Sequence, residues 1–114
     1  MMEDIDKLAR FFKALGDETR LHLVALLARQ EPGNALCVGR LAHELETTDS
    51  NVSQHLRVLK NLGLVHKERR GYRIHYFIDE ERLMTYRRLG QELLGMDLFH
   101  GSLSHPQPEQ GDAD

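Results

Sequence analysis

The sequence predicts an α+β fold that is mostly helical, with five helices and one β-hairpin. In four stretches of the chain, apolar residues are spaced so that they fall on one side of a helix, and a fifth stretch is dense in leucine, as in a buried helix. One stretch, residues 64–78, changes to the two-residue alternation of β-strands. The chain has 114 residues, of which 40% are hydrophobic, and this suits a single domain with a modest core.

The helix around which we expect the fold to be organised lies between residues 47 and 64. Thr48 or Asp49 can cap its N-terminus, because a side-chain oxygen accepts a free backbone N–H of the first turn. Gly63 suits the left-handed residue that follows many helices. The apolar stripe is Val52, Leu56, Leu59 and Leu62, and the polar side chains that point elsewhere are Ser50, Asn51, Ser53, Gln54, Arg57 and Lys60.

This polar face has two interpretations. Short donors and acceptors in the first turns, followed by cations, are what a helix needs to enter a major groove and hold phosphates. An ordinary surface helix with a solvated outer side gives the same pattern. The helix alone therefore does not decide between them.

The three segments before this helix are also predicted to be helical. They are residues 4–15, residues 19–29 with a cap at Asp17 or Thr19, and residues 36–45. The second is so rich in leucine that we expect it to be buried all round. Only Glu46 and Thr47 separate the third from the polar-faced helix, and this tight connection is typical of a helix-turn-helix.

After Gly63, two short strands are predicted at residues 64–68 and 72–78, joined by Arg69-Arg70-Gly71. On the second strand, alternation places the side chains of Tyr72, Ile74, Tyr76 and Ile78 on one face. A hairpin with arginines at its tip, directly after a recognition helix, forms a wing that can follow the DNA backbone or minor groove. The alternative is an edge hairpin whose charges prevent aggregation.

The charge distribution favours DNA as the partner. The chain has a formal net charge of −3, but residues 50–76 alone carry +5 and the rest therefore carries −8. Local charge decides where a polyanion can dock. The only acid in residues 50–76 is Glu68, and the cations are Arg57, Lys60, Lys67, Arg69, Arg70 and Arg73.

A last helix is predicted at residues 80–95, with Asp79 or Glu80 as its cap. Neither this helix nor the first has an obvious partner within so small a domain, so we assign both to a homodimer interface. The expected interface residues are Ile5, Leu8, Phe12, Leu83, Tyr86, Leu89 and Leu93. We expect residues 1–99 to form the domain and residues 100–114 to be a disordered acidic tail.

The order of these elements and four sequence stretches resemble the ArsR/SmtB family of small winged helix-turn-helix repressors. The stretches are FFKALGDETRLHLVALL, LCVGRLAHEL, SNVSQHLRVLKNLGLV and ERRGYRIHYFI. The resemblance implies a homodimer that binds an imperfect inverted repeat in a promoter and is released by an inducer. It places groove-facing positions on Thr48, Asp49, Ser50, Asn51, Ser53, Gln54 and Arg57. We expect His55 to be structural and Asp49 to act as a cap.

The resemblance also shows which metal chemistry this chain lacks. The family's soft-metal site is a Cys-x-Cys pair, and the matching positions here are Cys37 and Gly39. The family's zinc-type positions fall on Glu80, Arg82, Leu93 and Met96, of which an arginine and a leucine cannot be ligands. The remaining candidates for nickel, cobalt or zinc are Asp97, His100 and His105.

The sequence thus predicts a DNA-binding transcriptional regulator with an unidentified effector, or with none. The acidic N-terminus has no signal-peptide pattern and no apolar run is long enough to span a membrane, so we expect a cytoplasmic protein. The alternative function is a winged-helix module that binds another protein. We do not expect an enzyme, because the sequence contains no phosphate loop, nucleophile elbow or pocket-forming pair of carboxylates.

Overall fold

A computed structural model of the chain describes residues 1–31 and 35–95. Within these ranges the fold is α+β and mostly helical, as predicted, with five helices and a two-stranded antiparallel hairpin. In chain order the elements are α1 (Met2–Leu15), α2 (Glu18–Ala28), α3 (Val38–Leu45), α4 (Asp49–Asn61), β1 (Val65–Arg70), β2 (Arg73–Ile78) and α5 (Glu80–Leu94). The predicted acidic tail, residues 100–114, lies outside the described residues.

Three helices begin with a residue whose side chain caps the first turn. For each of these helices the sequence offers two candidate capping residues, and the structure shows which one makes the hydrogen bond. Asp17 accepts a hydrogen bond from the backbone N–H of Arg20 at 3.0 Å and so caps α2. Thr48 caps α4 and Asp79 caps α5 in the same way, at 3.0 and 2.9 Å. Each cap satisfies a first-turn N–H that has no partner within its helix. Asp49 is therefore not the cap but the first residue of α4, where its carboxylate is favoured by the helix dipole.

The core is formed where α2, α3 and α4 pack against one another. Leu23, Leu41 and Val52, one from each helix, are each 0% exposed. The prediction that α2 is buried all round is wrong, because Leu21 on its outer side is half exposed. The neighbouring elements cover only one side of α2, which carries Leu23, Val24 and Leu27. An apolar residue on the opposite side of the helix therefore stays in solvent.

Helices α1 and α5 pack against each other within the protomer. The rings of Phe11 and Tyr86 stack with their centroids 4.2 Å apart, and Leu8, Tyr86 and Leu89 are 4%, 1% and 1% exposed. The sequence assigns these last three to a dimer interface, and the structure corrects this. They belong mainly to the protomer's own core, because almost none of their side-chain surface is left to bury against a partner.

The hairpin pairs Val65 with Ile78 at its base and Arg70 with Arg73 at its end. Gly71, with φ of +68°, and Tyr72 form the turn, so Arg69 and Arg70 lie at the end of β1 and not in the turn as predicted. Tyr72 lies in the turn and is 89% exposed, whereas Ile74 and Tyr76 are half-buried and Ile78 is buried, so Tyr72 is not part of the packed face of β2. The left-handed conformation that glycine allows sets the turn at position 71.

Leu36 is not helical, although the sequence predicts it in the third helix. Its carbonyl accepts a hydrogen bond from the backbone N–H of Tyr76 at 2.9 Å, which makes a short antiparallel bridge beside β2. This extended conformation delays the start of α3 to Val38. The bridge covers part of the hairpin edge and joins the hairpin to the helix-turn-helix. In the described ranges, no helix has both the length and the apolar character needed to cross a membrane.

Candidate nucleic-acid interface

Helix α4 separates a buried stripe from an exposed polar face. Val52, Leu56 and Leu59 are at most 1% exposed. The other side carries the side chains that the sequence assigns to DNA, and all of them are exposed except Asn51, which is half-buried. The burial of the stripe fixes the rotation of the helix about its axis, and this rotation directs Ser53, Gln54 and Arg57 outward.

The turn before α4 is held by its own hydrogen bonds. Glu46 ends α3 in the left-handed conformation, with φ of 54°, and the backbone N–H of Thr47 donates to the carbonyl of Ala42 at 3.0 Å. The side-chain amide of Asn51 donates to the hydroxyl of Thr47 at 3.1 Å. A left-handed residue other than glycine carries no clear sequence signal, so the geometry of this turn could not be predicted.

A polar cluster behind the exposed face ties α4 to the first two helices. The guanidinium of Arg20 lies 3.2 Å from Nδ1 of His55 and its Nε donates to the carbonyl of Ala14 at 2.7 Å. A carboxylate oxygen of Asp17 lies 3.8 Å from the same histidine nitrogen. His55 is thus a structural residue, as predicted from its place beside the buried stripe. The sequence gives the cap at Asp17 but not its contact with His55, which is distant along the chain.

Several contacts hold the hairpin beside α4. The backbone N–H of Leu64 donates to the carbonyl of Leu59 at 3.0 Å, and that of Asp79 donates to the carbonyl of Leu64 at 2.8 Å. A cavity between the helix and the hairpin is lined by Ser53, Leu56, Arg57, Lys60, Lys67 and Tyr76. The two predicted DNA-binding elements therefore meet in one groove, and three of its six lining residues are cations.

The cations of the hairpin occupy both of its faces. Lys67 and Arg69 lie opposite Tyr76 and Ile74 in the strand register, so they share the face that looks toward α4. Arg70 lies on the other face and is 3.0 Å from the carboxylate of Glu68. An exposed ion pair of this kind is weak and is easily exchanged for another anion. The hairpin therefore presents positive charge on both faces.

The comparisons with known proteins agree with this geometry. The family model described as "Bacterial regulatory protein, arsR family" matches residues 17–67. The chain is 36% identical over 97 residues to the transcriptional repressor SmtB homolog of Synechocystis sp., and this match covers 84% of the chain and 70% of that protein. The chain belongs to the ArsR/SmtB family of transcriptional regulators. The resemblance drawn from the sequence is confirmed.

Two further proteins show how far ArsR/SmtB similarity extends along the chain. The cadmium resistance transcriptional regulatory protein CadC of Listeria innocua is 33% identical over 87 residues, which are 76% of this chain and 71% of that protein. The solved structure of an ArsR-like transcriptional regulator from Rhodococcus sp. RHA1 superimposes with a TM-score of 0.68 at 28% identity, covering 78% of this chain and 80% of that one. The winged helix-turn-helix fold is confirmed, and the chain is a regulator rather than an enzyme.

The residues of this ArsR/SmtB chain do not fit a thiolate site for soft metals. Cys37, the only cysteine in the sequence, is half-buried at the start of α3, and position 39 is a glycine. At one of the family's zinc-type positions, the side chain of Arg82 on α5 instead donates a hydrogen bond to the backbone carbonyl of Leu62 at 3.3 Å. Within residues 1–31 and 35–95, no three or more His, Cys, Asp or Glu side chains are grouped to hold a metal ion. Asp97, His100 and His105 lie outside the described residues.

The cap of α2 should make stability depend on pH. The hydrogen bond from the backbone N–H of Arg20 lowers the pKa of Asp17 below its ordinary value, as do the positive charges of His55 and Arg20, while desolvation partly offsets them. A lowered folded-state pKa stabilises the protein above the ordinary carboxyl pKa, and this stability is lost as the pH falls through the folded value. The Asp17→Asn variant, which keeps a capping oxygen without the charge, should therefore be less stable than the parent protein at neutral pH and equally stable in acid.

Chemical denaturation at a series of pH values, at one protein concentration, measures this difference. Asp17→Ala serves as the control, because it removes the capping oxygen as well as the charge and should stay destabilised in acid too. A stability difference between Asp17→Asn and the parent that is the same at every pH would show that the charge contributes nothing.

Proposed function

We propose that this chain is a transcriptional repressor that binds an imperfect inverted repeat as a homodimer in the cytoplasm and is released by an effector. In this proposal, α4 enters the major groove and the β1–β2 hairpin follows the adjacent backbone or minor groove. The observation that carries the proposal is the common groove of α4 and the hairpin, where Arg57, Lys60 and Lys67 line one surface.

The positions along α4 suggest how the contacts are divided. Ser50, Ser53 and Gln54 lie in its first two turns, are exposed, and carry the short donors and acceptors that read base edges. Arg57 and Lys60 follow toward the hairpin and suit phosphates, which cations hold without reading sequence. Asp49 would approach the duplex at the helix start, where its carboxylate can accept from a cytosine amino group.

The hairpin would add mainly electrostatic contacts. Lys67, Arg69, Arg70 and Arg73 are all exposed, and each phosphate that they neutralise would release bound counterions. The resulting affinity should fall steeply with salt. A protein-binding module does not need this density of charge, so the salt dependence separates the proposal from the alternative function.

An apolar groove between α1 and α5 supports the dimer. Ile5 and Phe12 are 48% and 38% exposed, and Leu94 is 55% exposed. Together with Met1, Leu8, Ala9 and Leu93 they line a groove of about 240 Å³. Exposed apolar side chains that form one patch indicate an interaction surface. Of the predicted interface residues, Ile5, Phe12 and Leu93 lie in this groove with side-chain surface left to bury, and Leu83 is half-buried on α5.

The protomer does not supply the thiolates that a soft-metal effector needs, although its relative from Listeria innocua is named for cadmium resistance. A thiophilic ion needs two or three thiolates, and each protomer has only Cys37. A nickel, cobalt or zinc site that includes Asp97, His100 and His105 stays a prediction. These residues offer the nitrogen and oxygen ligands that such ions accept.

Arg57→Ala should weaken binding to a duplex from the promoter of the protein's own gene by about tenfold, and it should reduce the slope of log affinity against log salt by about 0.9. The reason is the loss of one cation from the groove between α4 and the hairpin. Fluorescence anisotropy at several salt concentrations measures both quantities. Arg40→Ala is the matched control, because Arg40 is an exposed helical arginine that pairs with Glu44 on α3. Equal effects of the two variants would place the DNA elsewhere, and affinity that does not change with salt would favour the protein-binding module.

Ile5→Glu should convert the dimer to a monomer, because it places a charge in the apolar groove where a partner would have to desolvate it. Sedimentation velocity measures the change. Met84→Glu is the matched control, since Met84 is 57% exposed on α5 and does not line the groove. The monomer should also bind DNA more weakly, because it reaches only one half-site. A dimeric Ile5→Glu variant, or a monomer that binds DNA as tightly as the parent, would contradict the assigned interface.

A further inference from the structure

A second cleft, on a different side of the protomer, is surrounded by positive charge. It lies between α1, the C-terminal part of α4 and the start of α5, and has a volume of about 550 Å³. Its cations are Lys7, Arg10, Lys13, Arg20 and Arg82. No carboxylate is among the residues that line it. We call this the basic cleft.

The basic cleft shares no lining residue with the groove between α4 and the hairpin. From α4, the cleft takes Val58, Asn61 and Leu62, whereas the groove takes Ser53, Leu56, Arg57 and Lys60. On a helix these two sets lie on different sides. The basic cleft is therefore not a continuation of the proposed DNA contact surface.

The charges of the basic cleft are poorly neutralised by the protein itself. Glu3 and Asp6 lie one helical turn before Lys7 and Arg10 on α1, but among the described residues no ion pair joins them to the cleft cations. In the described part of the chain, only Arg20 has a carboxylate near it, that of Asp17. The other cations are held close together, so they repel one another and create a positive potential. An anion in the cleft would relieve this repulsion.

Two of the guanidinium groups are held in place by backbone carbonyls. Arg82 donates to the carbonyl of Leu62 at 3.3 Å, and its guanidinium lies so close to Gly63 that a Cβ at position 63 would come within 2.8 Å of its Cζ. Arg20 donates through Nε to the carbonyl of Ala14 at 2.7 Å. A guanidinium has five N–H donors. Each group therefore keeps donors for an anion while its position is already fixed.

Apart from Asn61, the rest of the lining is mainly apolar. Ala14, Val58 and Leu62 line the cleft together with Tyr86, and Val58 is 40% exposed although it is aliphatic. The hydroxyl of Tyr86 is already bonded to the carbonyl of Leu62 at 3.3 Å. A cavity of this volume, with apolar walls and a few converging polar groups, is typical of small-molecule sites.

We propose that the basic cleft binds a small organic anion, with one or two acidic groups held by the arginines and lysines and a compact apolar body against Val58 and Leu62. Carboxylate and phosphate groups both match the fork of a guanidinium. The cleft contains the last turn of α4, so its occupant would contact the recognition helix directly, between α1 and α5. An effect of the bound anion on DNA binding through this contact rests on the proposed function, whereas binding of the anion itself does not.

Chemical-shift mapping by NMR with the full chain tests the site. The probe is naphthalene-2-sulfonate, and its matched control is the uncharged naphthalene-2-sulfonamide. The sulfonate should cause saturable shifts at the backbone amides of Arg10, Ala14, Asn61 and Arg82, and the sulfonamide should bind at least about tenfold more weakly. Equal binding of both probes, or shifts confined to the apolar groove of Ile5 and Phe12, would overturn the proposal.

A pair of double variants then identifies the cations that bind the anion. Arg10→Gln with Lys13→Gln removes two charges from the cleft. Arg40→Gln with Arg88→Gln removes two from outside it, since these exposed arginines pair with Glu44 and Glu92 and do not line the cleft. The first pair should weaken binding of the sulfonate by about tenfold or more and the second should leave it unchanged. Equal losses in both would show that only the overall charge matters, and would overturn the site.

DNA binding by the same variants separates the two proposals. Both double variants should bind the promoter duplex equally well. A selective loss of DNA affinity in the cleft variant, with a smaller salt dependence, would make the cleft a DNA contact and overturn the anion site. A chain that binds the sulfonate in the cleft but binds no DNA supports the anion site and contradicts the proposed function alone.

Discussion

The burial of one stripe of α4 is the constraint on which the other features depend. Val52, Leu56 and Leu59 are at most 1% exposed, so rotating the helix would bring polar groups into the core at a cost of several kcal/mol, of order 2–7 for one unpaired polar group. The helix therefore has one orientation, and its polar side faces solvent. The contacts among Asp17, Arg20 and His55 hold the same helix from behind. Base recognition requires this kind of fixed support, because a helix that rotates cannot direct the same side chains to the same bases.

The same packing distributes different chemistry over the two sides of α1. One side contributes Ile5 and Phe12 to the apolar groove, and the other contributes Lys7, Arg10 and Lys13 to the basic cleft. The ring stack of Phe11 on Tyr86 fixes α1 against α5 between these two surfaces. A ligand in the cleft and a second subunit on the groove would thus act on one rigid pair of helices. In the proposed dimer, that arrangement would give a physical route from a bound anion to the spacing of the two α4 helices.

Features set by local chemistry could be predicted from the sequence. The caps at Asp17, Thr48 and Asp79 and the polar face of α4 depend on neighbouring residues and on helical period. Features set by distant contacts could not. Leu8, Tyr86 and Leu89 follow the same apolar period as an interface, and only the packing of α1 on α5 shows that they lie inside the protomer. Arg69 and Arg70 lie in β1 because Gly71 takes the left-handed turn position, and the basic cleft brings together cations from three separate segments of the chain.

The central claim is that the exposed face of α4 contacts DNA, and photo-crosslinking tests it most directly. A benzophenone side chain introduced at position 54, on the exposed face, is compared with one at position 84, which is also exposed, on α5, but lies away from the groove of α4 and the hairpin. Both proteins are irradiated with the promoter duplex. We expect crosslinks to bases from position 54 and none from position 84. Crosslinks from position 84 with none from position 54 would contradict it.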